Sequence, residues 1–365
     1  MNNETRKETQ VLPKDVRCVG ADDLTLSLFE NQYPVQPMGV SYNSYLILDE
    51  KIAVMDSVDA RAADEWLAKL AHELNGRSPD YLVISHMEPD HSGSILRLAE
   101  KYQEMKLVGN TKTFTMLRQF FGAKAPTDDR LLEVGEGETL PLGAHTLHFM
   151  LAPMVHWPEV MVAYEETEKL LFSADAFGRF GALSRTAGAP WAPQARRYYY
   201  NIVGKYGAQV QALLKKASAL EIKTVCPLHG PVLTGEALGE ALRLYDLWSR
   251  WQSESPDDIL LAHASIHGNT ARAAELFKQK LEAKGARVTL CDLTTTEVSY
   301  AVANAFYCGK LVLACSTYDG GLFPPMEEFL SHLQAKGFRD RSVGLMENGS
   351  WAPCLLYTSP SPRGL

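Results

Sequence analysis

SHMEPDHSGS, residues 85–94, places two imidazoles and two carboxylates within six positions, with a proline between the carboxylates. Convergent carboxylates are costly to hold together without a compensating cation. The stretch is therefore either a solvated loop or one half of a metal site. In an extended segment, residues at i, i+2 and i+4 point the same way, which predicts that His86, Glu88 and Asp90 converge. Pro89 keeps Glu88 out of helical geometry. His91 then stands at the mouth of a helix beginning near SGSILRLAEKY.

Three further donors lie downstream at expected strand ends: His156 in MVHWPEV, Asp175 in LLFSADAFG and His229 in CPLHGP. Each alone has a plain reading, since a lone His after a strand is more often structural and a strand-terminal Asp usually caps a turn. His145 and His148 alternate along one strand without a partner motif and are read as structural. Together with the 85–94 cluster the balance reverses. In α/β proteins, ligands meet at the loops beyond strand ends. Six or seven nitrogen and oxygen donors, none of them Cys, suit one binuclear centre with a shared carboxylate.

The totals narrow the context. The chain has 365 residues, enough for two ordinary domains, with 46% hydrophobic and 22% charged residues. A formal charge of -8 and a pI near 5.7 argue against nucleic acid or an anionic membrane surface as the main partner. No apolar run reaches the roughly 18 residues of a membrane span. MNNETRKETQVLPKD at the N-terminus lacks the apolar core of a signal peptide. None of the six cysteines forms a C-x-x-C pair, which argues against a rubredoxin-type or zinc-ribbon site in this chain; most sit in apolar runs as small buried hydrophobes, which predicts a reducing, cytoplasmic setting.

The first part of the chain alternates short strands, turns and helices. SYNSYLILDEKIAVMDSV reads as a hairpin of two half-buried strands, and RAADEWLAKLAHEL has helical apolar spacing. DYLVIS, TLHFMLAP and KLLFSAD read as buried strands that deliver the candidate donors. This order predicts an αββα sandwich over residues 1–254. SESPDD, residues 253–258, has the composition of a linker. Beyond it, ILLAHA, ARVTLCDL, KLVLACS and RSVGLME read as buried strands. The helices NTARAAELFKQKLEAKG and PMEEFLSHLQAKG lie among them, which predicts a doubly wound parallel sheet over residues 257–353. After Pro353 the sequence CLLYTSPSPRGL has no helical period. Residues 354–365 are expected to be a non-native or disordered tail of a truncated chain, leaving the sheet without its last strand and helix.

The second half opens with AHASIHGNTARAA, a strand leading through Ser265, Ile266, His267, Gly268, Asn269 and Thr270 into a helix. Hydroxyls at Ser265 and Thr270, with N–H groups at a helix start, can hold a phosphate without Lys or Arg. Gly268 permits a tight backbone approach. No GxGxxG or Walker GK[ST] is present, which disfavours dinucleotides and triphosphates. Two later strand ends, STYDGGLFPP from Ser316 and ENGSWAP from Glu347, supply the other loops of a topological switch point.

The first motif set resembles the metallo-β-lactamase fold, whose zinc members carry H-x-H-x-D-H; here Glu88 stands where their second His belongs. The H-x-E-x-D-H variant, followed by a His, a strand-end Asp and a late His, resembles the flavodiiron proteins, and the resemblance extends to about Pro353. It implies two iron ions. His86, Glu88 and His156 would hold one; Asp90 and His229, with His91, the other; Asp175 would bridge them. The hard Glu88 favours iron in kind, although Zn²⁺ outranks Fe²⁺ in affinity at most N/O sites.

The second half resembles a flavodoxin. That implies FMN wrapped by Ser265, His267, Gly268, Asn269 and Thr270, by Ser316, Thr317, Tyr318, Asp319 and Gly320, and by Glu347, Asn348, Gly349, Ser350 and Trp351. The activity implied is reduction of O2 to water, NO to N2O, or both, with electrons from a separate rubredoxin or flavin reductase. A head-to-tail homodimer, in which the flavin of one chain faces the metals of the other, is implied as well. Two alternatives stand beside it: a binuclear zinc hydrolase, and an FMN electron carrier or redox sensor with a vestigial metal site.

Overall fold

The computed structural model describes residues 12–348. Packing divides the chain into two compact units. One runs through Ala195 and resumes over Gln209–Arg243; the other comprises Arg196–Ala208 and the chain from Leu244 onward.

The first unit is built on two six-stranded sheets. One has the strand order Val16–Cys18, Tyr45–Ile47, Ala53–Met55, Tyr81–Val83, Lys106–Gly109, Leu131–Glu133. The other runs Thr139–Pro141, Thr146–Leu151, Met161–Glu165, Leu170–Phe172, Thr224–Cys226, Leu233–Thr234. Ile47, Met55, Val83 and Val108 from the first pack into one core with Leu147, Phe149, Met161 and Phe172 from the second. Leu147 and Phe149 share a face because side chains alternate along a strand. The hairpin around residues 49–51 forms as expected, but all six of its strand residues are buried rather than half of them. The helix Ala63–Leu74 buries Ala63, Trp66, Leu70 and Leu74, a three-to-four spacing along one face. Each large apolar side chain fully removed from water contributes roughly 1.5–3 kcal/mol, which offsets the cost of the charges buried at the strand ends.

Strand direction decides where those charges go. In the second sheet, Thr146–Leu151 and Leu170–Phe172 each run antiparallel to Met161–Glu165, and Leu170–Phe172 runs parallel to Thr224–Cys226. Three strands therefore end on the same edge. They lead to His156, Asp175 and His229, while Tyr81–Val83 of the other sheet leads to His86.

The opening stretch departs from its expected form. Glu88 is extended, but Pro89–Ser92 is a helical turn with the proline in its first positions, followed by the helix Ile95–Lys101. Alternation thus covers His86 and Glu88 only. Asp90 and His91 are aimed by the helical turn, because Pro89 disfavours helix at the residue before it and permits helix after it.

In the second unit, four parallel strands lie in the order Val288–Asp292, Ser255–Ala264, Cys308–Tyr318, Ser342–Asn348. Gly321–Leu322 folds back antiparallel on the end of the third. The order reverses between the first and third strands in sequence, as in flavodoxin-like sheets. Helices Asn269–Glu282, Val298–Tyr307 and Pro324–Ala335 link the strands. The expected linker at residues 253–258 is mostly strand. Pairing starts at Ser255, and a register shift between Ser255 and Ile259 accommodates Pro256. A Cβ at Gly309 would overlap the Pro256 backbone, so this close approach requires glycine.

The expected missing strand and helix, the tail 354–365, and Gly349, Ser350 and Trp351 fall outside the described residues. Among the described residues no helix is long and apolar enough to cross a membrane, and the cysteines form no disulfide.

Candidate metal centre

The strand ends of the first unit bring all seven sequence-derived donors together in two adjoining groups. His86, Glu88, His156 and Asp175 form one, and Asp90, His91 and His229 the other; within each, the donor atoms lie within 4.8 Å of one another. Glu88 Oε2 is 3.3 Å from His86 Nε2 and 3.1 Å from His156 Nε2. Asp90 Oδ2 is 3.3 Å from both His91 Nε2 and His229 Nε2. Asp175 faces both groups. Its Oδ2 is 3.1 Å from His156 Nε2 and 3.6 Å from His86 Nε2, while its Oδ1 is 3.2 Å from His91 Nε2 and 3.7 Å from His229 Nε2.

Backbone and outer side chains aim these donors. Asp56, at the end of Ala53–Met55 with φ +56, accepts from Ser85 N at 2.7 Å and pins the start of the loop. His229 Nδ1 donates to the Ser41 carbonyl at 2.7 Å, leaving Nε2 to face the cluster. The Nδ1 of His86 lies 2.8 Å from Glu159 Oε1, which turns its Nε2 inward too. Trp157 stands edge-on to the His86 ring at 5.2 Å, and Phe29 edge-on to His229 at 5.4 Å. These rings form apolar walls.

The cluster fits a pair of cations. Both oxygens of Asp90 and Oδ1 of Asp175 are buried without a hydrogen bond, a costly arrangement unless another charge meets them. His91 Nε2 and His229 Nε2 lie 3.0 Å apart, head to head. Two neutral imidazoles in that pose direct at most one N–H and otherwise lone pairs at the same space. Four imidazoles and three carboxylates make an all-N/O set, which suits first-row divalent metals without selecting among them.

Electrostatics agree. Burial disfavours a charged His86, but Asp175, Glu159 and Glu88 outweigh it and hold the imidazole well above its usual value. Burial likewise opposes charge on His156, and Asp175 and Glu88 still lift it to about 9. Burial would raise Asp175, but His86 and His91 hold it well below the carboxylate range. The carboxylates thus demand positive charge at these nitrogens, from protons or from metal.

The sequence reading missed several contributors. Glu30, at the turn between Leu28–Phe29 and Tyr33–Pro34, is exposed at the surface. Desolvation, then the charge and hydrogen bond of Glu88, nevertheless push it up to about 7. No local motif marks it. Glu159 had a signal, a carboxylate three residues after His156 in HWPE. His145 and His148 lie outside the cluster, as expected: His145 Nδ1 meets Asp49 at 2.8 Å, and His148 meets Glu166 at the surface.

In the second unit the loop at residues 265–270 closes on itself. Gly268, at φ +83, donates to Ser265 Oγ at 3.1 Å, and the helix Asn269–Glu282 starts beyond it. Thr270 Oγ1 lies 2.7 Å from Ser316 Oγ and accepts from Asn348 Nδ2 at 2.9 Å. One buried hydroxyl thus ties together the three strand ends singled out from sequence. His267 and Asn269 are exposed. Thr317 and Tyr318 pair with Leu322 and Gly321, and Asp319 and Gly320 make the intervening turn at φ +47 and +74. Glu347 and Asn348 end the fourth strand.

Comparison with known proteins matches residues 40–230, a span that includes all seven donors, to the family described as ODP family beta lactamase. The rubredoxin-oxygen oxidoreductase of Megalodesulfovibrio gigas is 28% identical over 344 residues, covering 92% of this chain and 84% of the relative. The nitric oxide reductase of Moorella thermoacetica is 27% identical over 335 residues, 90% of this chain and 82% of the relative. The crystal structure of the flavodiiron protein from Giardia intestinalis superposes with a TM-score of 0.87 at 27% identity, over 93% of this chain and 83% of that one. A doubly faced carboxylate among four imidazoles, a flavodoxin-like sheet and a family match over more than half the chain lead to one assignment: this chain belongs to the flavodiiron proteins, within the ODP family of the β-lactamase fold.

Proposed function

We propose that the chain is a diiron and FMN oxidoreductase that reduces O2 to water, NO to N2O, or both. The observation that carries the reading is the two-faced position of Asp175 between two donor groups, in a chain similar along most of its length to an oxygen reductase and a nitric oxide reductase. His86, Glu88 and His156 would hold one iron, Asp90, His91 and His229 the other, and Asp175, facing both groups, would serve both. When bound, the iron pair supplies electrons and open coordination positions for a diatomic substrate, and FMN replenishes the electrons.

The chain's own groups shape that chemistry. Glu88 is the most accessible of the metal-facing carboxylates and marks the open side. Phe29 and Trp157 exclude water from the imidazoles and suit an apolar diatomic. Glu30 stands beside Glu88 as a further carboxyl at the opening.

FMN is assigned to residues 257–353, with its phosphate at Ser265, His267, Gly268, Asn269 and Thr270. Ser316 to Gly320, Glu347 and Asn348 would flank the ring, with Tyr318 as an aromatic partner for it; Gly349, Ser350 and Trp351, named from the sequence for the same role, lie outside the described residues. The metal domain takes residues 1–254. A rubredoxin-type protein is the expected donor, with a flavin reductase as the other candidate. A head-to-tail homodimer brings the flavin of one chain to the metals of its partner. The acidic balance is compatible with the cytoplasm. The zinc-hydrolase reading is not favoured, since these relatives are named as oxidoreductases.

The test is the iron and FMN content of purified protein, followed by O2 and NO consumption with reduced rubredoxin. Two iron ions and FMN per chain, with turnover of either gas, support the reading. Zinc with ester or amide hydrolysis and no gas consumption overturns it.

A further inference from the structure

The segment His156 to Glu159 does more than supply a donor. Its tryptophan walls His86, and its glutamate reaches the far side of the same ring. Glu159 is buried, and its Oε1 accepts at 2.8 Å from both His86 Nδ1 and Met87 N. Its backbone carbonyl is held by Asn110 Nδ2 at 2.6 Å, and Asn110 is itself fixed as the cap of the helix Thr111–Phe121. Oε2 has no hydrogen-bond partner. The carboxylate is thus anchored at one end by a helix cap and spends a single oxygen on the imidazole and the neighbouring backbone.

We infer that Glu159 is a positioning residue for the metal centre, fixing the Nδ1–H tautomer of His86 and increasing the electron donation of its Nε2 toward the metal. Outer carboxylates on ligating imidazoles act in this way. The inference rests on the proposed diiron reading and extends it by one residue. The two rings of the other group are held differently: His229 leans on a neutral carbonyl, and His91 Nδ1 has no hydrogen bond. The carboxylate on Nδ1 of His86 thus has no counterpart at Nδ1 of His229, where a backbone carbonyl takes that place.

Three proteins test this: wild type, Glu159→Gln and Glu159→Ala. A carboxamide oxygen can accept both hydrogen bonds that Oε1 now accepts, so Glu159→Gln removes charge and keeps geometry. It is expected to retain iron, to raise the reduction potential of one iron followed by EPR-monitored titration, and to leave the flavin potential unchanged. Glu159→Ala is expected to bind iron about 10–100-fold more weakly at one of the two positions. Wild-type protein without two iron ions would break the diiron reading, and this inference with it. Loaded wild type with Glu159→Gln at an unchanged iron potential and Glu159→Ala at unchanged iron affinity overturns the inference alone. Should Glu159→Ala fail to fold, the Glu159→Gln potential decides.

Discussion

The metal centre and the phosphate loop solve opposite problems. At the metal centre, carboxylate oxygens are buried and left without hydrogen bonds, as at both oxygens of Asp90 and Oδ1 of Asp175. At residues 265–270, neutral hydroxyls and amides satisfy one another: Ser265 with Gly268, and Thr270 with Ser316 and Asn348. The first arrangement is unstable until cations enter it. The second is stable as a piece of backbone and merely fits its ligand. Iron should therefore act as a structural component of its unit, and FMN as a guest in the other.

The largest expected effect is at the shared carboxylate. Asp175→Asn keeps the shape but removes the charge facing both groups. We expect loss of both irons and a fall in gas reduction of at least about 100-fold, read by metal analysis and steady-state turnover. FMN content should stay unchanged; loss of FMN together with iron would contradict the separation of the two sites.

Chelation comes next. Stripping iron should lower the unfolding midpoint by about 5–15 °C, since a ligand at a thousand times its Kd contributes about 4 kcal/mol. The effect has a pH signature. His156 is lifted from its usual value to about 9. Its protonated form therefore stabilises stripped protein fully below pH 6.5, and that stability is lost as pH rises toward 9. In loaded protein, metal replaces the proton and the slope disappears. Calorimetry of stripped and loaded protein between pH 6 and 9 should show the gap widening with pH; a constant gap would break the comparison from the metal side.

Thr270→Val probes the other side. It removes the hydroxyl shared by three strand ends, and with net hydrogen bonds near 1 kcal/mol each FMN affinity should fall about 5–30-fold, measured by fluorescence titration. Iron content should not change. The smallest effect is expected at Asp49→Asn, in the hairpin turn between Tyr45–Ile47 and Ala53–Met55. Hydrogen bonds from the backbone of His145 and Glu50 and from the His145 ring, acting against desolvation, hold Asp49 down to about 2. Its contribution is present at neutral pH and lost as pH falls through 4 to 2. The variant should lose about 1 kcal/mol at pH 7 with both cofactors retained.

Much of this contrast was legible in the sequence, for a physical reason. A metal ligand must be a particular residue type at a strand end, so His86, Glu88, Asp90, His91, His156, Asp175 and His229 stand out as letters. What failed was geometry that letters do not encode. Alternation predicted that Asp90 would follow His86 and Glu88, but Pro89 starts a helical turn that sends Asp90 and His91 to the second group. SESPDD looked like a linker, yet a register shift lets its proline sit in a strand. The helix Val298–Tyr307 escaped notice because it is buried on most sides and shows no polar stripe. Glu30 and Glu159 act through neighbours distant in sequence, so only the fold brings them to the metal-facing carboxylates and rings.

The most direct measurement is anomalous diffraction at the iron absorption edge on crystals of the purified protein. Two peaks should appear, one among His86, Glu88 and His156, the other among Asp90, His91 and His229, with an Asp175 oxygen on each. A single peak, a zinc signal in place of iron, or peaks away from these seven side chains would contradict a bridged iron pair as the centre of this protein.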